Sequence, residues 1–198
     1  MSGKHVAKDQ PATFEFNAVN QKRIQEILKK YPTERKKSAV MPLLDLAQRQ
    51  HDNWIPNAAI KKIGEILEVP YIKVYEVATF YTMYNLAPVG KYFVQVCTTS
   101  PCMIRGSGKI VNLCKKHISE KEGKLSDDKK ASWIEVECLG ACVSAPMMQI
   151  NDDFYEDLTE ETATKIFEGI KKDQLPKPGS QKGRVGFEPN KRLTLVKN

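Results

Sequence analysis

Four cysteines stand in two short loops, and their thiolates are the side chains of this sequence best suited to inorganic chemistry. Cys97 and Cys102 enclose the segment CTTSPC, while Cys138 and Cys142 enclose the segment CLGAC. The spacing is therefore C-x4-C, a long gap and then C-x3-C. A shell of four thiolates suits iron–sulfur clusters and zinc above other inorganic centres. The sequence thus predicts one cluster or metal site built from these four residues.

Three kinds of site are compatible with this pattern. Zinc sites usually use C-x2-C pairs, but spacings up to x4 also occur, so zinc stays open. The longer loops favour an iron–sulfur centre, because the hydroxyls of Thr98, Thr99 and Ser100 are potential hydrogen-bond donors to sulfur. Gly140 lets the backbone come close to a sulfur atom. Redox-active disulfides come third, because five cysteines in 198 residues indicate a reducing compartment and not a secreted disulfide scaffold.

The elements after Gly90 are expected to bring both cysteine loops to the same edge of a sheet. KYFVQVC and WIEVEC alternate as β-strands do, and PCMIRGSGKIVNLCKKHI between them is predicted to be one helix. PMMQIN and FYEDL form a predicted hairpin, and a last helix, capped by Thr159, runs to Lys172. This order is typical of a thioredoxin-like α/β unit. The remaining cysteine, Cys114, falls within the first of these helices, where a buried apolar role is predicted.

Helical patterns occupy the region before this unit. One apolar face ends before Pro32, a second helix is expected over residues 36–50, and two more begin at Pro56 and Pro70. Four amphipathic helices with short connections indicate a small bundle. The fourth, YIKVYEVATFYTMYN, carries an aromatic stripe that is predicted to pack in the core. The predicted class is α+β: a polar extension over 1–16, a helical bundle over 17–88, a thioredoxin-like domain over 89–175, and an extended basic tail over 176–198.

The positive charge is concentrated at the C-terminal end. The net charge is +7, and from Lys171 onward there are eight basic residues against two acidic ones. The rest of the chain lacks the basic stripe with interleaved aromatics that nucleic-acid readers carry, so no nucleic acid is expected as a partner. The tail is predicted to be either a solvated end or an arm that lies on an acidic partner. No apolar run is long enough for membrane insertion, and the first ten residues lack the pattern of a signal or transit peptide.

No residue of the chain is predicted to be catalytic. RGSGKIVN lacks the third glycine of a dinucleotide fingerprint and the Ser or Thr of a phosphate loop. His5, His51 and His117 are isolated in the sequence. The acidic side chains near the predicted hairpin are explained by a solvated turn. These are Asp152, Asp153, Glu156 and Asp157.

Two segments, CTTSPCMIRG and VECLGACVSAPMMQINDDFYEDLT, resemble the thioredoxin-like [2Fe–2S] subunit family of respiratory complex I, the 24-kilodalton or flavoprotein 2 type. VYEVATFYTMYNLAPVGKY and PKPGSQKGRVGFEP are similar to that family as well, the latter to its mitochondrial and α-proteobacterial members. The resemblance implies that Cys97, Cys102, Cys138 and Cys142 hold one [2Fe–2S] cluster and that Cys114 is not a ligand. Ser100 departs from the pattern, since threonine is common there.

The resemblance also implies a function and partners. A protein of this kind exchanges electrons with the FMN of a larger NADH-binding flavoprotein, on the side away from the main iron–sulfur chain, and also adjoins another iron–sulfur subunit. It has no complete active site of its own. The expected location is the matrix side of the mitochondrial inner membrane, with the bacterial cytoplasmic face as the alternative. Two other functions stay open: the corresponding subunit of a soluble NAD-linked hydrogenase or formate dehydrogenase, and a zinc-bound interaction module.

Two further expectations concern the reduction potential of the centre and the surface that docks the flavoprotein. Glu137, beside Cys138, is expected to lower the reduction potential of the centre, because negative charge disfavours an added electron. The helical part and the tail are expected to dock the flavoprotein, so that deletion of the residues after Pro176 weakens assembly and leaves the cluster intact.

Overall fold

A computed structural model describes residues 5–185 of this chain. The chain divides between Val89 and Gly90 into two compact units. Helices build the first unit, and helices with a five-stranded sheet build the second, so the predicted α+β class is confirmed. Within the described residues, no helix has both the length and the apolar character needed to cross a membrane.

The first unit is a set of short helices whose starts are fixed by local sequence. The side chain of Asn17 accepts a hydrogen bond from the backbone of Asn20 and caps the first helix. Pro42 lies in the first turn of the second helix, where no intrahelical N–H bond is lost. The helices are α1 (Ala18–Leu28), α2 (Val40–Gln50), α3 (Asn57–Leu67) and α4 (Tyr71–Phe80), with a 3₁₀ helix (Thr33–Ala39) before α2.

One apolar core holds these helices together. Leu43 and Leu44 of α2 pack with Ile60 and Ile63 of α3, and all four side chains are fully buried. Burial of an aliphatic side chain of this size contributes about 1.5–3 kcal/mol relative to leaving it exposed. The predicted helical bundle is therefore present, with its apolar faces inward.

The prediction that the aromatic stripe packs in the core is wrong for Phe80 and is confirmed for Tyr84, which is 2% exposed and lies in the core cluster. Phe80 is 77% exposed, and Ile72 and Met83 are also exposed. Helix α4 ends at Phe80 and the backbone of Tyr81 is extended, so the helical spacing used for the prediction does not continue beyond that point. Tyr75, one turn earlier, does pack against the core.

The second unit contains a mixed sheet in the order β2-β1-β3-β4-β5. Strands β1 and β2 are parallel, β3 is antiparallel to both β1 and β4, and β5 is parallel to β4. The strands are β1 (Tyr92–Cys97), β2 (Ala131–Val136), β3 (Met148–Ile150), β4 (Asp153–Glu156) and β5 (Gly179–Ser180). The helices are α5 (Ser100–Ile104), α6 (Ser107–His117) and α7 (Glu160–Lys171).

The single helix predicted after β1 is two helices. Gly106 adopts a left-handed conformation with φ of 97°, which ends the first helix and lets α6 begin in a new direction. The predicted cap of the last helix is confirmed, since the Thr159 side chain accepts a hydrogen bond from the backbone of Thr162.

The core of the second unit lies between the sheet and its helices. Trp133, Tyr155 and Phe167 are its largest fully buried side chains. The indole N–H of Trp133 donates to the carbonyl oxygen of Ser119 at 2.8 Å, so the buried donor is satisfied. Cys114 belongs to this core and is fully buried, as predicted. Strand β5 lies within the segment that the sequence assigns to the tail.

Candidate metal centre

Two parallel strands place the cysteine loops at one end of the sheet. Cys97 is the last residue of β1, and its register partner is Val136, the last residue of β2. Because β1 and β2 run in the same direction, the chain leaves both strands on the same side. The loop with Cys102 and the loop with Cys138 and Cys142 begin there, as the sequence predicts.

The first loop is held against the protein. The backbone N–H of Cys97 donates to the carbonyl oxygen of Met147 at 3.3 Å. Cys102 lies in α5, and its side chain and that of Cys97 are buried with Ala145 and Met147 in a small apolar cluster. This cluster is separate from the main core of the unit and keeps water from one side of the candidate site.

The second loop is open to solvent. The Sγ atoms of Cys138 and Cys142 are 3.2 Å apart, and both residues are exposed. Gly140 has a φ of 83°, and its backbone N–H donates to Sγ of Cys138 at 3.4 Å. The predicted close approach of the Gly140 backbone to a sulfur is therefore confirmed. Cys142 opens a 3₁₀ turn, Cys142–Ser144, that leads back to β3.

Of the three loop hydroxyls named as potential donors to sulfur, that of Thr99 contacts a sulfur atom in the described part of the chain. Its Oγ1 is 3.3 Å from Sγ of Cys97. It also acts on Cys138 of the other loop, where its hydrogen bond is one of the causes that lower the thiol pKa. The hydroxyl of Thr99 therefore lies near sulfur atoms of both cysteine loops.

The thiols of the first loop differ in acidity. Burial raises the pKa of Cys97, but hydrogen bonds from the hydroxyl and backbone of Thr99 outweigh it, and the net shift is downward. Burial, with a smaller contribution from its hydrogen bond to Cys97, raises the pKa of Cys102 to about 12. Cys97 is therefore the more easily deprotonated of the two, and the thiolate is the form that binds metal.

The second loop shows the same asymmetry. The hydrogen bond from Gly140 N–H, followed by that of Cys142, lowers the pKa of Cys138. The bond shared with Cys138, followed by burial, raises the pKa of Cys142. Each loop thus pairs a thiol of lowered pKa with one of raised pKa. Charge on Cys97 also raises the pKa of Cys142, so the two pairs interact.

The four thiols meet as two pairs and not as one compact group. Among residues 5–185, no group of three or more His, Cys, Asp or Glu side chains is arranged to hold a single metal ion. A centre with two irons divides its protein ligands between them, so two interacting pairs of thiols fit such a centre. The donor set and the sulfur-directed N–H and hydroxyl groups agree with that chemistry.

An ion pair between a buried carboxylate and an exposed arginine lies next to the second loop, and no sequence pattern predicts it. Asp157, predicted to be part of a solvated turn, is only 7% exposed. Its carboxylate accepts hydrogen bonds from Arg184 at 2.9 and 3.0 Å and from Ser180 at 2.6 Å. Arg184 also donates to the hydroxyl of Ser144 at 2.9 Å. No local pattern signals this pair, because its partners lie 27 residues apart.

Comparison with known proteins gives a consistent result. The family model described as thioredoxin-like [2Fe–2S] ferredoxin matches residues 24–171. The chain is 53% identical over 160 residues to a subunit of the NADH-quinone oxidoreductase of Rickettsia bellii (strain RML369-C), covering 81% of this chain and 96% of that protein. It is 48% identical over 184 residues to the mitochondrial NADH dehydrogenase [ubiquinone] flavoprotein 2 of Dictyostelium discoideum, covering 92% of this chain and 74% of that protein.

A solved structure has a similar fold. A chain in the crystal structure of an NAD+-reducing [NiFe]-hydrogenase in the H2-reduced state superposes with a TM-score of 0.60. The match covers 70% of this chain and 23% of that chain, at 18% identity. At this identity the likeness concerns the fold alone.

Proposed function

This chain belongs to the thioredoxin-like [2Fe–2S] ferredoxin family, and we propose that it is the electron-transfer subunit of the NADH-oxidising module of respiratory complex I. Identities of 53% and 48% to complex I subunits of bacterial and mitochondrial origin support this function. The corresponding subunit of a soluble hydrogenase is the weaker candidate, because the likeness to the hydrogenase chain rests on 18% identity.

The proposed ligands of one [2Fe–2S] cluster are Cys97, Cys102, Cys138 and Cys142. The observation that carries this assignment is the parallel pairing of β1 with β2, because it places the start of both cysteine loops at the same end of the sheet. Cys114 is not among the proposed ligands, because it is buried in the main core and not in the apolar cluster that contains Cys97 and Cys102.

When bound, the cluster accepts and releases single electrons. The residues of this chain would set the conditions for that exchange. Thr99 and Gly140 donate hydrogen bonds to ligand sulfurs and so favour the more negative, reduced state. The apolar side chains beside Cys97 and Cys102 exclude water from the inner side. The exposed pair, Cys138 and Cys142, forms the side from which a redox partner can approach.

The proposed partner is the flavoprotein subunit that carries FMN and binds NADH, with a neighbouring iron–sulfur subunit as a second contact. The relatives named as complex I subunits support this proposal. The chain would then contribute to NADH oxidation only within the assembly and would hold no complete active site. We place it in the peripheral arm at the matrix side of the mitochondrial inner membrane, with the cytoplasmic face of a bacterial membrane as the alternative.

Reduction by NADH tests this function. The chain is mixed anaerobically with NADH, alone and together with its flavoprotein subunit, and the visible spectrum of the cluster is followed. We expect bleaching only in the mixture, because hydride acceptance needs the flavin. Bleaching of the isolated chain by NADH, or none with the flavoprotein present, would contradict the proposal.

A further inference from the structure

The segment after Pro176 is part of the second unit as far as the structure describes it. Gly179 and Ser180 form β5, which pairs with Tyr155 and Glu156 of β4. The N–H of Gln181 continues this pairing by donating to the carbonyl oxygen of Glu156 at 3.0 Å. The strand directs the following residues toward the buried carboxylate of Asp157.

Arg184 completes the contacts of that carboxylate. A buried carboxylate is costly unless charges and hydrogen bonds compensate it. The guanidinium of Arg184 binds both oxygens of Asp157, and the hydroxyl of Ser180 binds one of them. This bidentate geometry is specific to arginine, because lysine offers a single ammonium group.

The same guanidinium reaches the second cysteine loop. Its Nη2 donates to the Ser144 hydroxyl at 2.9 Å, and Ser144 is 1% exposed. The Ser144 carbonyl oxygen in turn accepts from the backbone N–H of Asp157 at 2.7 Å. Ser144 is therefore bound through both its side chain and its backbone. It ends the 3₁₀ turn that begins at Cys142.

Resting on the proposed function, we propose that Arg184 is a positioning residue that fixes the Cys142–Ser144 turn, so that the C-terminal segment completes the cluster site. Leu139 and Ala141 pack the middle of the loop against the small apolar cluster, whereas Cys138 and Cys142 are exposed, and the ion pair supplies the anchor at the far end. This proposal predicts the opposite of the sequence-based expectation that removal of all residues after Pro176 leaves the cluster intact. Truncation after Pro176 removes the anchor, whereas truncation after Val185 keeps it.

Hydrogen exchange on the purified full chain tests the anchor independently of any cluster. The reporters are the amides of Ser144 and Ala145, which donate to the carbonyl oxygens of Ala141 and Cys142. We expect both amides to exchange on the order of tenfold faster in Arg184→Met than in the wild type. Lys182→Met is the matched control, because it removes from the same segment a charge that acts on Asp157 only through space and leaves the hydrogen bonds of Arg184 in place.

Cluster release is the second measurement. Decay of visible absorbance in the presence of an iron chelator is expected to be on the order of tenfold faster in Arg184→Met, intermediate in Arg184→Lys, and unchanged in Lys182→Met. Ser144→Ala should also accelerate release, because it removes the hydroxyl that accepts a hydrogen bond from Arg184. The ion pair between Arg184 and Asp157 stays in place in this variant. If Arg184→Met fails to fold, Arg184→Lys and Ser144→Ala decide the outcome.

The EPR spectrum of the reduced cluster distinguishes a positioning role of Arg184 from a purely structural one, because general destabilisation of the fold does not change this spectrum. The EPR spectrum of the reduced cluster should differ from wild type in Arg184→Met and return toward it in Arg184→Lys. Asp173→Asn, which breaks an ion pair elsewhere in the unit, should lower the melting temperature and leave this spectrum and the two amides unchanged. Exchange, release and spectrum all unchanged in Arg184→Met would overturn the proposal. A chain without any iron–sulfur cluster would refute the proposed function, and the exchange comparison would still decide the role of Arg184.

Discussion

The backbone N–H of Thr98 donates to the carbonyl oxygen of Val136 at 3.2 Å, which joins the first residue after β1 to the last residue of β2. This bond extends the parallel ladder by one step beyond Cys97. The two cysteine loops therefore start from a common, rigid base. The parallel pairing places the start of both cysteine loops at the same end of the sheet.

Replacement of any one of the four proposed ligands should reduce cluster content. Cys138→Ser substitutes a hydroxyl for a thiolate, and an alcohol is a poor ligand for iron beside soft sulfur donors. We expect Cys97→Ser, Cys102→Ser, Cys138→Ser and Cys142→Ser each to lose most of the visible absorbance per chain, as measured with iron and sulfide analysis.

Cys114→Ala is the control for these variants. Its thiol lies in the main core, so the change should cost about 1 kcal/mol of folding stability and leave cluster content at the wild-type value. Normal cluster content in any of the four ligand variants, or loss of the cluster in Cys114→Ala, would refute the ligand assignment.

Thr99→Val should lower the midpoint potential of the cluster. The substitution removes the hydroxyl that lies 3.3 Å from Sγ of Cys97 and keeps the size of the side chain. Loss of one hydrogen bond to a ligand sulfur is expected to shift the potential downward by on the order of tens of millivolts. Redox titration followed by EPR measures the shift. Thr99→Ser keeps the hydroxyl and should stay close to wild type; an upward shift in Thr99→Val would show that the bond does not stabilise the reduced state.

Glu137→Gln should raise the midpoint potential. The carboxylate of Glu137 adjoins Cys138 in the chain and is exposed, so its charge acts on the cluster through solvent and the effect should weaken as salt is added. Glu135→Gln, two residues earlier on β2, removes the same charge at a greater distance along the chain and should produce a smaller shift. A potential that stays constant or falls in Glu137→Gln rules this role out.

Asp173→Asn should lower the melting temperature at neutral pH. Hydrogen bonds from Lys130 and then Lys91 hold the pKa of Asp173 well below its usual range. The folded state therefore keeps this carboxylate ionised where the unfolded chain protonates it, so its stabilisation is complete above the unfolded pKa of about 3.9 and is lost as the pH falls toward the folded pKa.

Thermal unfolding of wild type and Asp173→Asn across pH 3 to 7 measures this effect. The two melting temperatures should differ at pH 7 and converge as the solution becomes acidic. Glu161→Gln breaks an exposed pair with Lys165 on α7 and should have a small effect at every pH. A difference between wild type and Asp173→Asn that grows on acidification would contradict the ion-pair account.

The cysteine site could be predicted from the sequence because its determinants are local. Each pair of cysteines follows a segment with strand periodicity, and parallel pairing of two such strands brings the loops together. The helix caps and buried faces are also local features, as Thr159 and Asn17 show. The resemblance to a known family supplied the rest: the identity of the centre and the exclusion of Cys114.

Other features depend on contacts that sequence spacing does not encode. Gly106 was expected to continue a helix, but its left-handed conformation divides that helix in two. The exposed position of Phe80 follows from where α4 ends. Burial of Asp157 depends on Arg184, which lies 27 residues further along the chain. An acidic residue after a strand is usually solvated, and only the folded path of the C-terminal segment reverses that expectation.

The optical and EPR spectra of the anaerobically purified chain, before and after dithionite, test the central claim most directly. We predict visible absorbance in the isolated protein and a rhombic S = ½ signal that develops on reduction, with two irons and two sulfides per chain, as one [2Fe–2S] cluster on four thiolates requires. A colourless protein that carries stoichiometric zinc on the same cysteines would contradict the claim.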